Sequence, residues 1–184
     1  FNFTAIGANL AGTPAMLGNT VVWKPAHSAM LSNYYVMKLF EAAGMPPGVI
    51  NFVSGDAPQI TDILLSRSDF TGIHFTGSTG VFNSFWKKIG ANMSTYKSYP
   101  RIVGETGGKN FIIAHPDSDW HAVKTAIVRG AFEYQGQKCS AASRAYISAS
   151  MWAELEGPLV EEVGSLTMGD PRDFTNFVSA VIDQ

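Results

Sequence analysis

Residues 19–25 have the sequence Asn19-Thr20-Val21-Val22-Trp23-Lys24-Pro25. Its β-branched and aromatic residues predict a buried strand over residues 19–23. Lys24-Pro25 ends the strand, because proline lacks the N–H that would continue a hydrogen-bonded ladder. A helix is predicted before it, from about Ala5 to Leu17, and Gly18 closes that helix. The chain therefore starts as a helix followed by a strand.

Strand and helix keep alternating after this point. A helix opens at Ser28, and strands are predicted over residues 49–53 and 72–75. Further helices are predicted near residues 60–65 and 81–92. Such alternation is the signature of a parallel α/β sheet.

The pattern changes after Arg101, and we place a domain boundary near Gly104. The later predicted elements are strands at residues 101–103, 110–114 and 145–148 and helices at residues 120–134 and 138–143. We therefore predict one domain over residues 1–104 and the first part of a second over residues 105–184.

Composition narrows the class of protein. Hydrophobic residues make up 46% and charged residues 15% of the 184 residues, which is typical of a folded domain. The net charge of -2 gives no electrostatic case for binding nucleic acid or an anionic membrane surface. No apolar run approaches the roughly 18 residues that a membrane helix needs.

One cysteine cannot form an internal disulfide, which favours a reducing compartment. The four histidines lack the spacing of zinc ligands, so no metal site is predicted. Residue 1 is Phe and no signal-peptide pattern follows it. We expect this chain to be an internal fragment.

Cys139 is the first candidate for chemistry. The run Gly136-Gln137-Lys138-Cys139-Ser140 is polar and flexible, which makes it a poor place to bury a thiol. Lys138 adds positive charge, and a short helix starting there would favour the nucleophilic thiolate. These residues alone leave two interpretations open, an inert buried thiol and a nucleophile.

Glu105 is the second candidate. It lies between Gly104 and Gly107-Gly108, where the backbone can bend sharply. By itself it is better interpreted as a solvated loop carboxylate. Beside a cysteine nucleophile, a carboxylate tuned by burial can deprotonate the water that hydrolyses a thioester.

Thr76-Gly77-Ser78-Thr79-Gly80, called here the glycine turn, is a strand-to-helix turn of small residues. Such turns present backbone N–H groups to phosphate. This one is neither a Walker loop nor a complete Gly-x-Gly-x-x-Gly fingerprint. Alone it is weak evidence for a nucleotide site, as is Lys24 at its strand end.

Together these features form a more specific pattern. The motifs, in chain order, are Asn2-Phe3, Lys24-Pro25, Phe75-Thr76-Gly77-Ser78-Thr79, Gly104-Glu105-Thr106-Gly107-Gly108-Lys109 and Gly136-Gln137-Lys138-Cys139. Their order and spacing resemble the aldehyde dehydrogenase superfamily over essentially the whole chain. Residues 1–7, 132–141 and 177–183 are most similar to its Δ1-pyrroline-5-carboxylate dehydrogenase branch, of the eukaryotic mitochondrial and especially fungal type.

The resemblance implies an α/β fold class: part of a Rossmann-like parallel-sheet cofactor domain, then the start of an α/β catalytic domain. It implies that Cys139 attacks the aldehyde, that the Asn2 amide and the Cys139 N–H hold the oxyanion, and that Glu105 activates water. The implied substrate pocket contains Phe3, Lys138 and Ser140.

The implied cofactor is NAD, bound by Lys24, Pro25, Gly77, Ser78 and Glu105. NADP stays open, because His27 stands where many NAD-preferring relatives carry a glutamate for the ribose 2′-hydroxyl. Phe82 is a second departure, since many members end the glycine turn with glycine there.

The implied reaction is NAD-dependent oxidation of L-glutamate 5-semialdehyde to L-glutamate in proline catabolism, in the mitochondrial matrix, by a homo-oligomeric whole enzyme. We expect the 184-residue chain alone to turn over no aldehyde. Alternatives are a dehydrogenase for another semialdehyde, an acyl-phosphate reductase and a non-catalytic nucleotide-binding fragment. A cysteine hydrolase would need a histidine base, and no histidine sits in a supporting motif.

Overall fold

The computed structural model describes residues 4–182. The chain divides into two compact units, one ending at Thr106 and the other beginning at Gly107. This division lies close to the boundary predicted near Gly104. The roles predicted for the two parts stay predictions.

The first unit contains two strand–helix–strand repeats. Its helices and strands are α1 (Thr4–Met16), β1 (Val21–Trp23), α2 (Met30–Ala42), β2 (Ile50–Phe52), α3 (Ala57–Leu65), β3 (Gly72–Thr76), α4 (Thr79–Ala91) and β4 (Arg101–Glu105). Short 3₁₀ turns lie at His27–Ala29 and Met93–Thr95. Strands β1 and β2 pair in parallel, as do β3 and β4. The predicted parallel α/β arrangement is confirmed.

Each strand pair of the first unit has its own apolar core. Ala11, Trp23, Met37 and Ile50 pack together around β1 and β2, and Trp23 meets the ring of Phe52 edge to face. Around β3 and β4 the buried residues are Leu65, Phe85 and Ile89. Burial of these apolar side chains is the main force that holds the strands in place.

The second unit repeats the same plan. Its helices and strands are β5 (Asn110–Ala114), α5 (Trp120–Phe132), β6 (Ala142–Ile147) and α6 (Ala149–Ser165), with a 3₁₀ turn at Glu133–Gly136. Strands β5 and β6 pair in parallel, and the register shifts between Asn110 and Phe111. Its core consists of Ala114, Val123, Met151 and Leu155.

Helix ends follow the local chemistry of the sequence. Gly18 and Gly44 take positive φ angles of 85° and 89° just after α1 and α2, as expected for glycines that close helices. Helix α3 begins earlier than predicted, because the Asp56 carboxylate accepts the Gln59 N–H and caps it. Helix α6, capped by Ser148, was not predicted.

The helix predicted over residues 138–143 is wrong. Residues 138–141 form a turn in which the Ala141 N–H donates to the Lys138 carbonyl, and β6 begins at Ala142. Pairing of Ala142 with Asn110 of β5 outweighs the helix propensity of this alanine. No helix within residues 4–182 is long and apolar enough to cross a membrane.

Candidate active site

The glycine turn joins the carboxyl end of β3 to the first turn of α4. The Gly77 N–H donates to the Glu105 carbonyl at 3.1 Å. Ser78 caps α4, because its hydroxyl accepts the Val81 N–H at 3.3 Å. The first turn of α4 contains no acidic residue, so no carboxylate within it neutralises the positive end of the helix dipole. The turn therefore has the chemistry of an anion site.

Two glycines let aromatic rings pack under this turn. A Cβ at Gly77 would lie 2.5 Å from the Phe75 ring, and a Cβ at Gly104 would overlap the Phe82 ring. Phe75 and Phe82 stack with centroids 6.0 Å apart. Phe82, the departure noted in the sequence, thus fills the space that Gly104 leaves over β4.

Glu105 is the last residue of β4 rather than part of a flexible glycine loop. It lies opposite Thr76 in the parallel register, and its side chain is exposed. The hydrogen bond from Gly77 to its carbonyl fixes its backbone beside the glycine turn. The carboxylate is therefore positioned by a strand, and it shares an edge of the β3–β4 pair with Gly77.

Lys24 follows β1, and its side chain is half-buried. Its Nζ donates to the Pro25 carbonyl at 2.9 Å, and Pro25 itself is fully buried. Burial lowers the pKa of Lys24 below its ordinary value. Within residues 4–182 no hydrogen bond or ion pair joins Lys24 to Gly77, Ser78 or Glu105.

Cys139 lies in the segment of residues 134–141, called here the cysteine turn, and its thiol is exposed. Three consecutive residues before it have positive φ: Tyr134 at 54°, Gln135 at 56° and Gly136 at 68°. For the two non-glycine residues this conformation costs about 1–2 kcal/mol each. The surrounding structure must therefore hold the turn in place.

The charge of Lys138 is directed at Glu133. Their ion pair measures 2.8 Å, and Arg129 contacts the same carboxylate at 2.6 Å. Lys138 and Arg129 hold the pKa of Glu133 below its ordinary value. Since no helix begins at Lys138, the helix-end contribution expected for the thiolate is absent.

The backbone of Gly108 lies close to the backbone of the cysteine turn. A Cβ at this position would lie 2.8 Å from the carbonyl oxygen of Cys139. Gly108 lies in the motif of residues 104–109, and no role is predicted for it from the sequence. Its signal was the glycine itself, since glycine permits close approach of two backbones.

Residues 178–182, called here the return segment, also reach the cysteine turn. The Ile182 N–H donates to Gln137 Oε1 at 2.9 Å, and Gln135 Nε2 donates to the Ala180 carbonyl at 3.3 Å. Sequence reasoning missed these contacts, because nothing local links residues so far apart in the chain.

The site residues fall into two groups. Gly77, Ser78 and Glu105 lie together in the first unit, and Cys139 lies with its neighbours Lys138 and Ser140 in the second. Asn2 and Phe3 lie outside the described residues. Within residues 4–182 no cluster of three or more His, Cys, Asp or Glu side chains suits a metal ion.

The model of the aldehyde dehydrogenase family matches residues 1–184. The chain belongs to the aldehyde dehydrogenase family. Mitochondrial Δ1-pyrroline-5-carboxylate dehydrogenase of Dictyostelium discoideum is 53% identical to it over 186 aligned residues, covering 100% of the chain and 33% of the relative. The human enzyme of the same name is 48% identical, with coverage of 100% and 33%.

A crystal structure of Δ-pyrroline-5-carboxylate dehydrogenase from Mycobacterium tuberculosis bound with NAD shares the fold. Its TM-score is 0.95 at 49% identity, covering 99% of this chain and 34% of that one. The resemblance to this family and to its pyrroline-5-carboxylate branch is thus confirmed. The chain spans about a third of the length of the curated relatives that it matches.

Proposed function

We propose that this chain carries the nucleophile and part of the cofactor site of an enzyme that oxidises L-glutamate 5-semialdehyde to L-glutamate with NAD. One observation carries the proposal. Cys139 is an exposed thiol on a strained, fixed turn, in a chain 53% identical along its whole length to a Δ1-pyrroline-5-carboxylate dehydrogenase. We place the enzyme in the mitochondrial matrix and in proline catabolism, acting as a homo-oligomer.

The residues of the first unit fit a dinucleotide. Gly77 and Ser78 would hold the pyrophosphate at the N-terminus of α4, where free backbone N–H groups and the helix dipole favour anions. Lys24, with Pro25, would bind the adenosine ribose, because ligands of parallel α/β sheets bind at the carboxyl ends of strands. When bound, NAD supplies the acceptor for the hydride that the aldehyde carbon gives up.

The cysteine performs the covalent step. Its thiolate adds to the aldehyde carbon, and the carbonyl oxygen becomes an oxyanion. The Asn2 side-chain amide and the Cys139 N–H would stabilise that charge, each contributing about 3 kcal/mol in the transition state. Departure of the hydride with its electron pair leaves a thioester on the sulfur.

Glu105 completes the cycle in this proposal. Its carboxylate takes a proton from water, and the resulting hydroxide attacks the thioester carbon. The C–S bond breaks, L-glutamate leaves, and the thiolate is restored. Phe3, Lys138 and Ser140 are proposed to line the pocket for the aldehyde.

Replacing Glu105 tests this assignment. In the intact protein, Glu105→Gln should allow the oxidation but block hydrolysis, because an amide does not accept the water proton. We expect one burst of NADH, and mass spectrometry should find the acyl group on Cys139.

Glu156→Gln is a matched control, since Glu156 is an exposed carboxylate on α6. It should turn over many times, like the unmodified protein. Continuous turnover by Glu105→Gln, or a burst without acylated Cys139, would contradict the proposed roles.

A further inference from the structure

We propose that Gln137 is a positioning residue that fixes the cysteine turn by tying it to the return segment. The effect on catalysis rests on the function proposed above. The hydrogen bond between Gln137 and Ile182, called here the brace, rests on geometry alone. All the contacts involved lie within the second unit.

Both ends of the Gln137 amide are used. Its Oε1 accepts the Ile182 N–H at 2.9 Å, and its Nε2 donates to the Tyr134 carbonyl at 3.3 Å. The backbone N–H of Gln137 donates to the same carbonyl at 3.0 Å. One side chain thus joins the strained start of the turn to a segment 45 residues further along.

The return segment is itself held in place. Val178 pairs with Met168 in an isolated parallel bridge, and its N–H donates to the Thr167 carbonyl at 3.1 Å. Gln135 adds a second tie, to Ala180. Because the return segment is itself held in place, its hydrogen bonds can keep Tyr134 and Gln135 in their strained backbone conformation.

Gly108 limits the turn on another side, against the Cys139 carbonyl. The brace and this contact together leave the peptide of Cys139 little freedom to move. The direction of the thiol then depends on Gln137, two residues away. A displacement of about 1 Å at a reacting atom can cost on the order of a hundredfold in rate.

The test removes the same hydrogen bond from each end in the intact protein. Gln137→Ala removes the acceptor, and Ile182→Pro removes the N–H donor. Gln59→Ala and Val181→Pro are matched controls. Gln59 is exposed on α3, and the Val181 N–H makes no hydrogen bond to other described residues.

The test combines hydrogen exchange with kinetics and NAD binding. Hydrogen exchange at the amides of residues 137–141 should accelerate about tenfold in both test variants and stay unchanged in the controls. The rate of the NADH burst should fall about tenfold, while the Kd for NAD and the KM for the aldehyde change little. The double variant should be no worse than Gln137→Ala, because the hydrogen bond that Ile182→Pro removes is already absent in Gln137→Ala, which also loses the Nε2 bond to Tyr134.

Unchanged amide exchange rates at residues 137–141 in both test variants would show that the brace does not hold the cysteine turn. Faster exchange with an unchanged burst rate would overturn the positioning role, and so would multiplicative effects in the double variant. If the unmodified protein reduces no NAD with the semialdehyde, the proposed function fails, and the exchange data still decide whether Gln137 braces the turn.

Discussion

The glycine turn and the cysteine turn are built in different ways. The helix cap of the glycine turn is local, since Ser78 caps the helix that it begins, and one hydrogen bond from Gly77 joins the turn to the end of β4. The cysteine turn contains three successive positive φ angles and depends on Gln137 and a segment 45 residues away. The helix cap of the glycine turn is encoded by adjacent residues, whereas the conformation of the cysteine turn depends on contacts made only in the folded unit.

The difference suits the chemistry proposed for each turn. Backbone N–H groups at a helix end bind phosphate without exact side-chain placement. A nucleophile must reach its carbon in a narrow range of positions, so rigid support matters more. We therefore expect substitutions under the cysteine turn to have the larger effects.

The largest effect is expected for Gly108→Ala. The added methyl would overlap the Asn110 side-chain oxygen and lie 2.8 Å from the Cys139 carbonyl oxygen. The Asn110 side chain can turn away, whereas the Cys139 carbonyl moves only if the cysteine turn moves. The NADH burst rate of the intact protein should fall about ten- to a hundredfold, with NAD affinity preserved.

Gly107→Ala is the matched control, because a Cβ there meets nothing within 4 Å. Stopped-flow traces of the two variants give the comparison directly. Equal burst rates would mean that close packing against Cys139 is unimportant.

A smaller effect is expected for Gly77→Ala. Its methyl would press on the Phe75 ring, which is packed between Phe82 and Phe85. Overpacking should lower the free energy of unfolding by about 1–3 kcal/mol. The Kd for NAD should rise about tenfold, because a methyl group that displaces the glycine turn weakens about one hydrogen bond from its backbone N–H groups to phosphate.

Gly80→Ala, with open space around the new Cβ, serves as the control for this site. Isothermal titration with NAD and chemical denaturation measure both quantities. An unchanged Kd in Gly77→Ala would show that the glycine turn does not hold the cofactor.

The smallest effect is expected for Lys24→Met. Burial lowers the pKa of Lys24, so the charged form is disfavoured in the folded state and costs stability at neutral pH. The variant should be slightly more stable at pH 7 and bind NAD several times more weakly, since about one hydrogen bond is lost. Its stability advantage should shrink as pH rises through the lowered pKa and vanish above 10.5, the ordinary value.

Lys87→Met, at an exposed position on α4, should change neither quantity. Denaturation curves at several pH values check the sign. A loss of stability at neutral pH in Lys24→Met would contradict the account of its burial.

The parallel α/β architecture was predictable because its signals are local. The β-branched residues at 21–22 predicted β1, and Gly18 and Gly44 predicted the ends of α1 and α2. The helix predicted at 138–143 is wrong, because residues 138–141 form a turn and Ala142 begins β6, which pairs with β5. Tertiary pairing of that kind outweighs intrinsic propensity.

The residues of the candidate site could be predicted from the sequence, whereas their contacts and positions could be predicted only in part. Motif order picked out Cys139, Glu105, Lys24 and Gly77. That Glu105 ends a strand follows from pairing with β3, a contact between residues far apart in sequence. The contacts of Gly108 and Gln137 join residues that are far apart in the sequence, so the spacing of motifs along the chain does not predict them.

The tie between Gln137 and Ile182 also has a consequence for folding order. It spans 45 residues, with β6 and α6 between its ends. Contacts of such long separation form after local helices and turns, because a large loop must first be closed. During synthesis the proposed nucleophile Cys139 is therefore not held in its final position until α6 and the residues up to Ile182 have been made.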